Sequence, residues 1–215
     1  RGLGDVYKRQ MFTRCLRADF YKMKRSSVII AHIIIPIVVS AVFLAYYAIS
    51  GWNETDKITA FYETLGSAFP VLIGIFTASI MEQEQNAGAF QNLLTLRSRT
   101  AALFSKVVTL LVFGLFALLF TAVIFGFGFN MIHGHSIASM GLFVRAVLVM
   151  WLSAIPLYLI FEIFAFVFGK AFAIGAGLIS GLISALFLTD IGMYVWKIVP
   201  LSWTCLLYTS PSPRD

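Results

Sequence analysis

The residues best suited to chemistry are two carboxylates separated by one residue, Glu82 and Glu84, in the polar stretch EQEQNAGAFQNLLTLRSRTAALFSK. Paired carboxylates can hold a metal ion or act as general acid and base in a membrane-embedded hydrolase. Hydrolases with such a pair also use a following arginine and histidines, yet no arginine lies within one helical turn of this pair. The spacing therefore favours a non-catalytic role, and hydrolysis by these acids with the histidines stays open as an alternative.

Three further side chains could act on a ligand. His133 and His135 form an HGH pair, but no third metal ligand is close in sequence, so we expect no metal site. Glu162 interrupts a long apolar run, where an ionisable group is costly and marks a functional position by default. We expect Glu162 either in a translocation path or in a structural contact between helices. The sequence contains no GxxxxGK[ST] phosphate loop and no HExxH motif.

Both ends of the chain are expected to be sequencing-adapter artefacts, residues 1–10 and 205–215, because one DNA element read in its two orientations encodes both. Residues 11–204 then form one domain that begins at Met11 and is truncated near Thr204. Without the ends, the loss of four basic and two acidic residues lowers the net charge from +6 to +4. Cys15 becomes the one cysteine, so no internal disulfide is expected.

Composition places the chain in a membrane, with 60% hydrophobic and 12% charged residues. Five apolar runs predict transmembrane helices over 28–49, 65–81, 101–129, 142–168 and 171–188. The fold class is therefore an all-α integral membrane protein, and a sixth helix is expected beyond the truncation. Basic residues lie near the membrane boundaries, which favours an orientation signal over a nucleic-acid partner.

The distribution of positive charge predicts the orientation. A cytoplasmic N-terminus puts nine basic residues inside and three outside, the arrangement that bacterial cytoplasmic membranes favour. The segment 11–25 is basic and carries an apolar stripe at helical spacing, which predicts an interfacial helix lying on the membrane. The residues of that stripe are Phe12, Leu16, Phe20 and Met23.

The polar stretch 82–96 predicts a short amphipathic helix on the same side. Ala87, Phe90 and Leu94 fall on one face, and the two acids at its start would complement the helix dipole. A surface of this kind suits docking of a soluble partner. Further along the chain, the spacing Gly177-x-x-x-Gly181 permits close helix approach, either within the chain or at a subunit interface.

This order of elements resembles the permease subunits of type-two ABC exporters. The stretch MEQEQNAGAFQNLLTLRSRTAALFSKV is similar to the cytoplasmic loop of lantibiotic self-protection permeases, with acids, a glycine, an aromatic residue and a leucine pair before a basic step. The residues that carry this similarity are Glu82, Glu84, Gly88, Phe90, Leu93, Leu94, Arg97 and Ser98. The segment PLSWT resembles the one that precedes the sixth helix of that family.

The resemblance implies the membrane half of an ATP-driven exporter. A separate ABC ATPase, holding ATP and Mg, would bind the coupling helix 82–96, and this chain would carry no cofactor. A second permease copy or a homologous permease would complete the unit, with spans one, two and five at the dimer and translocation surface. The implied cargo is a lantibiotic-like antimicrobial peptide. The alternatives are a type-two ABC permease for a drug or lipid, a membrane-embedded hydrolase, and a purely structural membrane subunit.

Overall fold

The structure is a computed structural model that describes residues 2–91, 95, 98–133 and 139–188, with side chains from residue 10. The described residues form helices and no strand, as the all-α prediction requires. The helices are α1 (Gly2–Lys24), α2 (Ser27–Ile49), α3 (Glu54–Asn86), α4 (Arg99–His133), α5 (Met140–Phe168) and α6 (Lys170–Leu186). Helices α2 to α5 are long and apolar enough to span a membrane, whereas α6 is an apolar helix of 17 residues.

Helix α3 differs most from its predicted span. It begins at Glu54 and runs on to Asn86, so it absorbs most of the expected outer loop and the start of the expected amphipathic helix. The polar segments at its two ends contain neither glycine nor proline and several good helix formers, so nothing ends the helix there. Glu82 and Glu84 therefore lie in the last turns of α3, and the prediction that they start a separate helix is wrong.

Helix α1 lies along the first half of α4. Its apolar side chains meet aromatic residues of α4, with ring centroids 6.1 Å apart for Phe12 and Phe104 and 5.4 Å apart for Phe20 and Phe113. A short turn follows, and the Ser26 hydroxyl caps α2 by accepting the Val28 N–H at 3.2 Å. The amphipathic stripe predicted for this segment is thus the surface that holds α1 on the bundle.

The core lies between α3, α4 and α5, and aromatic rings fill it. Phe61 of α3 stacks on Phe125 of α4 at 3.6 Å, and Phe143 of α5 meets Phe125 edge-on at 6.0 Å. Helix α2 packs on α4 and leaves many large apolar side chains exposed, as a lipid-facing helix does. Helix α6 packs along α3. The end of the bundle where α3 stops and α4 starts is called the loop end below.

Candidate functional site

The loop of residues 87–98 begins with a tight reversal of the backbone. Gly88, Ala89 and Phe90 all have positive φ, at 134°, 48° and 63°. Only glycine adopts such angles readily, which explains Gly88 but leaves two strained neighbours. Beyond it, the Thr95 N–H donates to the Gln91 carbonyl at 2.9 Å. Leu93 and Leu94, expected on the coupling helix, lie outside the described residues.

Phe90 turns back onto the bundle. Its ring meets Phe166 of α5 edge-on, with centroids 5.4 Å apart, and it is half-buried. The residues just before it, 85–89, are exposed, as are Gln91 and Thr95. The outward face of the described loop is therefore polar and small, unlike the outward apolar stripe predicted from the spacing of Phe90.

A buried ionic cluster holds the base of this loop, and it consists of Asp19, Lys22, Glu84, Ser105 and Lys106. Glu84 accepts hydrogen bonds from Lys106 at 2.8 Å and from Lys22 at 2.5 Å. Lys106 also donates to Asp19 at 2.9 Å, and the Ser105 hydroxyl donates to the other Asp19 oxygen at 2.5 Å. The cluster joins α1, the end of α3 and the start of α4.

The charges of this ionic cluster cancel, since two carboxylates face two ammonium groups. The side chains of Glu84 and Lys106 are each 5% exposed, and that of Asp19 is 11% exposed. Burying such groups is unfavourable unless each is paired, and removing one partner leaves a charge uncompensated in a poorly solvated place. The two stems of the loop, which are the end of α3 and the start of α4, are therefore fixed to each other and to α1. The charged groups that hold them depend on one another for compensation.

Two further polar contacts tie the end of α3 to its surroundings. Glu82 forms an exposed ion pair with Lys170 at the start of α6. Gln83 donates from its side-chain amide to the Ser26 hydroxyl at 2.6 Å, next to the turn that enters α2. Together with Glu84, these contacts connect the last turns of α3 to α1, α4, α6 and the residue that caps α2, and Phe90 connects the loop to α5.

Glu162 is buried in α5 with 2% of its surface exposed. Within the described part of the chain, neither of its carboxyl oxygens has a hydrogen-bond partner. Lys170, the nearest lysine along the sequence, bonds to Glu82 instead. A buried carboxyl without partners is rare and calls for an explanation, which keeps Glu162 a candidate for function.

Gly177 and Gly181 lie against α3. A Cβ atom at Gly177 would stand 3.0 Å from the Pro70 carbonyl oxygen, and one at Gly181 would stand 3.0 Å from that of Ser67. These distances are shorter than ordinary carbon–oxygen contacts, so the glycines allow the two backbones to approach closely. In this chain they form the contact between α3 and α6.

The two histidines that the structure describes, His32 and His133, do not join the acids. His133 lies at the far end of the bundle, where its Nε2 meets the Lys57 ammonium at 3.0 Å and its Nδ1 donates to the Phe129 carbonyl at 3.1 Å. His135 lies outside the described residues. Among the residues with described positions, no three His, Cys, Asp or Glu side chains stand close enough to hold a metal ion.

Besides Lys22 and Ser105, two charged residues of the ionic cluster were not predicted as functional, Asp19 and Lys106. Asp19 is the one acid in the basic segment 11–25, and Lys106 is a charge at the start of an apolar run. Each is a visible irregularity in its own segment. Their pairing was not visible, since 86 residues separate them in the chain and only the packing of α1 on α4 brings them together.

Residues 15–185 match the family described as "ABC-2 family transporter protein". The chain belongs to this family. The prediction of a type-two ABC permease is thereby confirmed, and the family is one of transport subunits rather than catalytic chains. Membership also implies an ABC ATPase partner and a dimeric arrangement. No curated protein and no solved structure matches the chain.

Proposed function

We propose that this ABC-2 chain is the membrane subunit of an ATP-driven exporter in a bacterial cytoplasmic membrane. Its N-terminus and loop end face the cytoplasm, where a separate ATPase binds ATP and Mg. A second copy, or a homologous permease, completes the transport unit. The observation that carries this proposal is the family match over residues 15–185, which covers all helices from α2 to α5.

The ATPase docks on the exposed part of the loop end, residues 85–89 with Gln91. This surface is polar and lies between two stems that the ionic cluster holds together through Glu84 and Lys106. A push on the loop therefore reaches α1, α3 and α4 together rather than bending the loop alone. Phe90 contributes by anchoring the loop to α5 through Phe166.

The cargo we propose is a lantibiotic-like antimicrobial peptide, expelled from the membrane to protect the cell. The support is the similarity of the loop to lantibiotic self-protection permeases, carried by residues such as Glu82, Gly88 and Phe90. Such peptides are amphipathic and partition into bilayers, which suits a subunit whose exposed helix faces are apolar. Glu162 is the polar group that would serve the translocation path.

The cargo is tested in a peptide-sensitive bacterium that produces this chain with its ATPase and partner permease. Cell-associated lantibiotic and survival are measured with the intact ATPase and with one whose catalytic glutamate is replaced. Less bound peptide and better survival, only with the intact ATPase, support the proposal. Equal peptide with both ATPases contradicts peptide export, and ATP-dependent loss of a drug or lipid instead identifies the other cargo class.

The role of Glu162 is tested by Glu162→Gln, which keeps the shape of the side chain and removes its capacity to ionise. Glu82→Gln is the matched control, because Glu82 is in an exposed ion pair at the loop end. We expect Glu162→Gln to change the export rate while the amount of assembled complex stays the same. An export rate equal to that of the unsubstituted chain would make Glu162 a structural group only.

A further inference from the structure

A buried lysine joins three helices at the end of the bundle opposite the loop end. Lys57, in the first turn of α3, is 4% exposed. Its ammonium donates to the Tyr47 carbonyl near the end of α2 at 3.0 Å, and to Nε2 of His133, the last residue of α4, at 3.0 Å. The backbone of α3 comes close to those of α2 and α4 at few places. These two hydrogen bonds are therefore polar ties between helices that otherwise meet mainly through aromatic side chains such as Phe61.

The contact between Lys57 and His133 requires a neutral imidazole. Nδ1 of His133 lies 3.1 Å from the Phe129 carbonyl oxygen, which only accepts, so Nδ1 carries the proton. Nε2 of the neutral ring is then an acceptor, and it takes its hydrogen bond from the ammonium, which only donates. The ring also stacks on that of Phe129 at 4.3 Å. Both ring nitrogens are thus in use, and the ring is held in the orientation that suits Lys57.

A second proton on His133 would break this contact. Nε2 would become a donor, and two cations would face each other in place of a hydrogen bond. Among the described residues, neither Lys57 nor His133 has a carboxylate within ion-pair distance to offset that repulsion. Imidazole is the side chain whose ordinary titration falls between pH 5 and 8. The other titratable or charged residues towards this end of the described helices are Tyr46 and Tyr47 of α2, Glu54, Asp56, Tyr62 and Glu63 of α3, and Arg145 of α5.

We propose that this contact makes the end of the bundle opposite the loop end pH-sensitive. Neutral His133 holds the adjoining ends of α2, α3 and α4 together, and protonation of His133 releases Lys57. Within the described part of the chain, the released ammonium keeps only the Tyr47 carbonyl. One carbonyl is too little for a buried charge, so the first turn of α3 moves outward until water reaches the ammonium.

The direction of the pH effect follows from the same contact. The closed arrangement binds the second proton of His133 less well than the open one does, so a fall in pH favours opening. The inference rests on the buried ammonium and its two hydrogen bonds. It holds whichever cargo the transporter moves and whichever side of the membrane this end faces.

The test measures the distance between α3 and α4 at this end of the whole chain in lipid nanodiscs. Spin labels are placed at Thr55 and Met131, which are both exposed, and the other cysteines are replaced by serine. Double electron–electron resonance gives the distance distribution at pH 7.5 and at pH 5. We expect the ratio of long to short distances to rise about tenfold at the lower pH, as the loss of one hydrogen bond to a charged group produces. Identical distributions at the two pH values would overturn the proposal.

Two variants assign the effect to this contact. His133→Gln places an amide oxygen near the position of Nε2 and does not titrate, so it should keep the short distance at both pH values. It also separates the effect of His133 from that of His135, which has the same titratable group. Lys57→Met removes the ammonium and should likewise abolish the pH dependence, whichever distance it favours. A change with pH that persists in either variant would overturn the proposal, and if one variant fails to fold, the other decides by the same result.

Discussion

Replacing Lys106 by methionine removes one positive charge from the centre of the ionic cluster. Methionine keeps the length and apolar stem of the side chain, so the change is mainly electrostatic. Glu84 and Asp19, which Lys106 binds at 2.8 and 2.9 Å, would be left with Lys22 as the one lysine in contact with the cluster. The negative charges of two buried carboxylates would then be offset only by the half-exposed ammonium group of Lys22.

The loss follows from the burial of the partners. Breaking a buried ion pair by removing one member costs about 3–5 kcal/mol. For a chain of this size, each kcal/mol lowers the unfolding midpoint by roughly 2–4 °C, so Lys106→Met should lower it by about 6–20 °C. The control is Lys22→Met, because the Lys22 side chain is 49% exposed and water can replace its contact with Glu84.

The assay is thermal unfolding of the detergent-solubilised chain, followed by tryptophan fluorescence at one fixed scan rate, since membrane proteins commonly unfold irreversibly. Lys22→Met should shift the midpoint by only a few degrees. Midpoints within about 2 °C of each other for the two variants would refute the reasoning, because the ionic cluster would then not depend on its buried member.

Three further changes have defined outcomes. Gly177→Val should destabilise the chain by about 1–3 kcal/mol in the same assay, because a Cβ there stands 3.0 Å from a backbone carbonyl of α3. Gly175→Val, with nothing within 4 Å of its Cβ, should be far milder, and equal losses would contradict the α3–α6 packing. Glu82→Gln should cost no more than about 1 kcal/mol, since both it and Lys170 are exposed, and a larger loss would show a structural role. Burial, together with a nearby carboxylate, raises the pKa of the Cys15 thiol, so maleimide should label it slowly at pH 7.5 and faster as the pH rises, whereas pH-independent labelling would contradict the shift.

The sequence predicted the membrane helices well where apolar runs were long. The predicted spans 101–129 and 142–168 lie within α4 and α5, because a bilayer-length apolar run has few other structures available. The predicted boundaries were least accurate where a helix ends in polar residues. Residues Glu54 and Gln85 are hydrophilic yet helical, since hydropathy reports solvent preference and not where a helix ends.

Sequence reasoning singled out residues of the loop end but not the contacts that they make. Glu84 and Gly88 were recognisable because they lie in a charged, patterned interruption between apolar runs. The sequence placed Glu84 on a docking surface, whereas the structure buries it against Lys106 and Lys22. Ion pairs between residues so far apart in the chain form only when the helices pack together, and a single sequence contains no signal for that packing.

The central claim is that the loop end of this ABC-2 chain binds an ATPase. It is tested most directly by placing a photo-crosslinking amino acid at Ala87, exposed at the loop end, and at Trp52, exposed between α2 and α3 at the other end. Cells producing the chain with its ATPase are irradiated, and the crosslinked products are identified by mass spectrometry. A crosslink to the ATPase from Ala87 and none from Trp52 is the expected result. The reverse pattern, or no crosslink from Ala87, would contradict the claim.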